Sequence, residues 1–172
     1  MDDQNVLHEK IKEWKKAHKG APRDLDFAFF CEILRFVNGS SPVKVACNPT
    51  SQAGEWVPGT ECRSVAKAEV DDKGHLVLRL KSDKTGLSAE KLDEEIQHLK
   101  KRIAGGKSPV MVKISETKTI QITDAYSHSL VKQHWAGLPF DLVFAYYDEE
   151  KRVEKLSPEA ADETEGDGNE DA

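Results

Sequence analysis

Cysteine is scarce in this chain, and what there is forms no pattern. Cys31, Cys47 and Cys62 are an odd number without a C-x-x-C pair, which excludes a dense disulfide framework and the usual zinc spacing. Three reduced thiols are what a cytoplasmic protein carries; a Cys47–Cys62 bridge would require their strands to be neighbours. Long apolar runs are missing as well, and the opening MDDQN has no charged-then-apolar leader. Neither a membrane span nor ordinary secretion is expected. The chain also lacks a glycine-rich phosphate loop, H-E-x-x-H and G-x-S-x-G, so it is read with no cofactor, no metal site and no assigned catalytic residue.

Charge is plentiful but unevenly placed. The net charge is −6, yet Glu159, Asp162, Glu163, Glu165, Asp167, Glu170 and Asp171 stand together without a base among them. Without those seven of its 31 acids, the body carries 25 Lys and Arg against 24 Asp and Glu. The reading is a single domain over residues 1–156 and an acidic tail over 157–172. With Pro158, two glycines and almost no apolar side chains, that tail is expected to be disordered.

Period-two alternation marks the first hairpin. Cys62, Ser64, Ala66, Ala68 and Val70 are assigned to one face, and Leu76, Leu78 and Leu80 continue it beyond the turn Asp71–Gly74. A helix follows, capped by Ser88, with Leu92, Ile96, Leu99 and Ile103 as its apolar stripe and Gly105-Gly106 as its stop. A second hairpin runs from Val110, Val112 and Ile114 to Ile120 and Ile122. Two helices are expected at the start: residues 3–18, with Leu7, Ile11 and Trp14 inward, and about Asp24–Val37, apolar over a wide arc. Val43–Cys47 reads as a short strand, Asp124–Ala136 as a further amphipathic helix, and Phe140–Tyr146 as the last strand. No internal repeat is apparent. The expected fold is α+β: a mainly antiparallel sheet of about six strands, built from two hairpins plus single strands, with three to four helices. Its β-β-β-α-β-β-α element order resembles that of type III secretion chaperones, at the level of element order alone.

Candidate chemistry is thin. Asp124 and His128, four apart on the expected helix, share a face, but two ligands make no zinc site and an exposed ion pair accounts for them. Cys62 with His75 or His128 supplies the residue types of a nucleophile and base without bringing them together. Trp56, with Val57 beside it in the aperiodic stretch 48–60, has the large area and few rotors of an interface anchor, or serves as a lid on the core. Lys12, Lys15, Lys16 and Lys19 cluster opposite the apolar stripe of the first helix, a face suited to a polyanion or simply to solvent. The reading is a small, soluble, non-enzymatic protein of the cytoplasm that binds another protein as an adaptor, chaperone-like or inhibitor module. One alternative is a nucleic-acid-associated protein whose tail modulates the basic helix face; a further one is a small hydrolase or transferase.

Overall fold

In the computed structural model, residues 3–18, 25–50, 57, 61–81, 86–127 and 142–149 are described. Both expected hairpins are present, β2 (Cys62–Val70) with β3 (Leu76–Lys81) and β4 (Val110–Ser115) with β5 (Lys118–Ser127). They do not lie in an open sheet. β1 (Lys44–Cys47) pairs β2 on one side and β6 (Leu142–Tyr146) on the other, closing a six-stranded barrel in the order β1-β2-β3-β4-β5-β6. The expected α+β fold, a mainly antiparallel sheet of about six strands, is therefore corrected to a closed barrel. Two of the six seams, β1–β6 and β3–β4, are parallel, and these long-range pairings remove both sheet edges. The expected helix from Asp124 is also overturned, because residues 124–127 continue β5; residues 128–136 lie outside the described residues.

The barrel is made of two alike halves. α2 (Phe27–Leu34) precedes β1-β2-β3, and α3 (Ala89–Leu99) precedes β4-β5-β6. Each helix leads to its first strand through the same words: Gly39-x-Ser41-Pro42-Val43-x-Val45, and Gly106-x-Ser108-Pro109-Val110-x-Val112. This is an internal repeat that the sequence reading passed over. The register agrees residue by residue: Val45 lies beside Phe144 across one parallel seam, and Val112 beside Leu78 across the other. The helices are exchanged. Asp26, the N-cap of α2, bridges Pro109, while Ser88, the N-cap of α3, bridges Pro42. Phe27 N donates to Ser108 O at 2.8 Å and Ala89 N to Ser41 O at 2.9 Å, so each half clamps the helix of the other.

β-Bulges bend both middle strands at twin places. Ala66 in β2 and Thr123 in β5 are extra residues in their ladders. A bulge shifts the side-chain parity along a strand. Val65 and Ala68 both enter the core, whereas Cys62 and Ser64 face outward with Ala46 and Lys44. The single face assigned to Cys62–Val70 is thereby split. Cys47 and Cys62 do sit on neighbouring strands, but Cys47 points in and Cys62 out, and all three cysteines are free thiols.

The seam of β1 and β6 is locked at its end. Asn48 takes the left-handed conformation (φ 49°), which Asn tolerates better than most side chains. Its Oδ1 accepts from Asp148 N at 2.8 Å and its Nδ2 donates to Asp148 O at 3.1 Å. Lys118 then binds the buried Asp148 carboxylate at 3.0 Å. The helices cover the barrel as their stripes require. Phe30, Ile33 and Leu34 of α2 and Leu92 and Ile96 of α3 are buried, and Phe30 stacks on Phe144 at 4.3 Å. α1 (Asp3–Ala17) buries Leu7, Ile11 and Trp14, with Trp14 stacked on Phe29.

Candidate functional site

α1 lies along the outer side of β5, and polar groups settle its position. His8 Nδ1 meets the buried Ser127 Oγ at 2.9 Å. About two helical turns further on, Lys15 pairs with Asp124 at 3.5 Å, its ammonium 3.7 Å above the Tyr126 ring. Tyr126 donates to Asp124 Oδ2 at 3.1 Å and meets Tyr147, which in turn meets Thr50. Burial first, then Asp124, push the Tyr126 phenol far above its ordinary range, so it stays a donor. This network joins α1, β5 and the end of β6. Asp124 is committed to Lys15, Tyr126 and the amide of Ala125, which leaves it poorly placed as a catalytic base.

The residues singled out in the sequence fall in different places. Lys15 is drawn inward to Asp124, while Lys12 and Lys16 are exposed. Val57 is half-buried and donates its amide to Pro49 O at 2.8 Å. Trp56, Lys19 and His128 lie outside the described residues, as does the expected tail 157–172. Cys62 and His75 stand at opposite ends of the β2–β3 hairpin. The Cys62 thiol is pushed up to about 12 by burial, so it is neutral and a poor nucleophile.

A groove that the sequence reading did not identify opens between α2 and the end of α3. Its volume is about 620 Å³. Phe27, Cys31 and Phe36 line it from α2 and just beyond, and Ile103 from just after the 3-10 turn Lys100–Arg102 that prolongs α3. Burial pushes the Cys31 thiol up to about 11, so it contributes to the groove as a small neutral group. The rim carries Glu32, Arg35, Gln97 and Lys100. Lys10 neutralises Glu32 at 2.6 Å, and Arg35 and Lys100 are exposed without an ion pair among the described residues. The rim therefore favours negative charge.

The two halves differ at the floor of the groove. Ala28 N donates to Gly106 O, as Glu90 N does to Gly39 O in the twin position. The Glu90 side chain covers Gly39, where an added Cβ would come within 3.3 Å of Glu90 Cβ and 3.0 Å of its Oε1. Ala28 offers only a methyl above Gly106, and the space that Glu90 fills in the other half stays open. The repeated glycine pattern was the available signal. The contrast of Ala28 with Glu90 becomes visible only once the halves are aligned.

Among the described residues, no group of His, Cys, Asp and Glu could hold a metal ion, and no helix is long and apolar enough to cross a membrane. No family model matches this chain, and comparison with curated proteins and with solved structures finds no match either.

Proposed function

We propose that this protein is a small non-enzymatic binding module of the cytoplasm that works through protein–protein contacts. Its groove takes an apolar side chain of a partner segment flanked by acids. The carrying observation is the groove itself, with an aromatic and aliphatic lining and a rim basic through Arg35 and Lys100. Burying one Leu or Phe side chain there contributes about 1.5–3 kcal/mol, and flanking carboxylates add charge attraction that steers association. Three free thiols accord with a reducing compartment. The withdrawal of Lys15 to Asp124 thins the lysine face of α1, which weakens the nucleic-acid alternative.

The test is Ala28→Glu, which places in α2 the residue type that fills the twin position in α3. Position 28 is exposed, so the melting temperature should change little. Short peptides selected by display on the wild-type protein should carry Leu or an aromatic residue beside Asp or Glu, and should lose binding to Ala28→Glu by at least about tenfold. Selected peptides that bind both proteins equally would place the working surface elsewhere.

A further inference from the structure

At one end of the barrel, the six inward positions form three twin pairs, and in each pair one twin is aliphatic and the other is not. This mouth is where β1, β3, β4 and β6 finish and β2 and β5 begin. The second half sends in Ile114 and Ile120, and β3 adds Leu80, all packed against the core. Their twins are Cys47, Arg63 and Tyr146. The registers Val45↔Arg63 and Val112↔Ile120 put a guanidinium where the other half has an isoleucine.

Arg63 is poorly served in that place. Its Nη1 reaches Ile114 O at 3.4 Å and its Nη2 reaches Leu80 O at 3.5 Å, both at the long limit for such bonds. Its Nε is buried with no acceptor among the described residues. No carboxylate pairs with it among the described residues, although an arginine kept in so apolar a ring ordinarily finds one. Close by, Tyr146 and Cys47 share a hydrogen bond, and burial and that bond hold the phenol above its ordinary range, so it remains a neutral donor. Arg63 itself is half-buried, so part of the side chain reaches solvent at the mouth.

We infer that the barrel mouth is a binding site for a single carboxylate group, held by the Arg63 guanidinium with Tyr146 and Cys47 beside it. The fork of a guanidinium matches the two oxygens of a carboxylate, and its weak bonds to the Leu80 and Ile114 carbonyls can be exchanged for shorter charge-assisted ones. One unpaired base calls for a monoanion, not a phosphate dianion; the nearby Lys118 is already bound to Asp148. The carboxylate can belong to a small free acid or to the side chain or terminus of a peptide. This inference rests on the mouth alone and not on the groove between α2 and α3.

The experiment follows the Arg63 Nε–H resonance and the Cys47, Leu80 and Ile114 amides of the full chain, at constant ionic strength held with chloride. The probes are acetate, N-acetyl-aspartate amide and inorganic phosphate. Saturable shifts at these groups with acetate and weaker ones with phosphate are expected. Tighter binding of the aspartate derivative than of acetate would assign the carboxylate to a peptide source, and the reverse order to a free acid. Arg63→Ile, which copies the twin residue, should weaken acetate binding at least about tenfold. Should that variant fold poorly, Arg63→Lys keeps the charge but loses the fork, and should bind acetate more weakly with intact structure. Equal, unsaturated drift with all three anions in the wild-type protein, or tighter binding of phosphate than of acetate, overturns the assignment.

Discussion

Position for position, Leu78 of the first half and Phe144 of the second do the same work. So do Val45 and Val112, Val65 and Ile122, and Ala68 and Ala125, each pair buried at matching registers. The halves part company where the frame meets solvent. Ala28 stands against Glu90 and opens a groove; Arg63 stands against Ile120 and puts charge into a mouth. Even the amides just beyond the twin bulges differ. Ala68 N is served by Glu95 of α3 at 2.9 Å, and Ala125 N by its own neighbour Asp124. The lesson is that a repeated core fixes the barrel, and that differences between twins mark the places where one half does something the other does not.

That comparison is broken most directly in the core. Phe144→Ala and Leu78→Ala should both destabilise, by about 3–5 and 2–5 kcal/mol respectively, read from urea midpoints. Phe144 should be the costlier, since it also stacks on Phe30, a contact worth about 0.5–1.5 kcal/mol more. A harmless Leu78→Ala would show that the halves are not equivalent supports.

Glycines sharpen the contrast at a smaller scale. A Cβ on Gly86 would lie 2.5 Å from Ser64 Cβ and 2.8 Å from Val65 O, so Gly86→Ala must move backbone and should cost about 1–3 kcal/mol. Gly39→Ala meets mainly the flexible end of Glu90 and should shift the midpoint by no more than about 0.5 kcal/mol. Equal effects at the two positions would contradict the close approach at Gly86.

The smallest effect concerns charge on the first hairpin. Arg79 holds the Glu69 carboxyl below its usual range through a 2.8 Å bond. A depressed carboxylate stabilises the fold above its unfolded pKa, and that contribution disappears as pH falls through the lower folded value. Stability should therefore decline slightly more between neutral pH and about pH 3 in the wild type than in Glu69→Gln, with the difference reduced by salt because the pair is near the surface. Identical pH profiles would remove the pair from the account.

Much of the local structure was readable from the sequence. Alternation located both hairpins, and Ser88, Leu92 and Ile96 act in α3 as a cap and a stripe should, with Ser88 Oγ accepting from Lys91 N. Closure was not readable, because β1 is four residues long and finds β6 nearly a hundred positions away. Periodicity carries no information about such a partner. The bulges at Ala66 and Thr123 defeated face assignment for a related reason, since one inserted residue reverses the parity of everything beyond it. At Asp124–Ser127, spacing suggested a helix, but pairing of Asp124 to Ser127 with β6 decides for strand. The groove was illegible because it rests on two differences between twins, and the twins are recognised only through the doubled Gly-x-Ser-Pro-Val-x-Val words.

The seam between β1 and β6 also has a consequence during synthesis. A nascent chain that has emerged through β5 holds β1 and β5 without the strand that joins them in the finished barrel. Until Leu142–Tyr146 leaves the ribosome, five strands of the barrel form a sticky ribbon, the kind of intermediate that pairs with neighbours on the same polysome. A stalled or prematurely stopped message for this protein should therefore yield aggregates in preference to a soluble fragment.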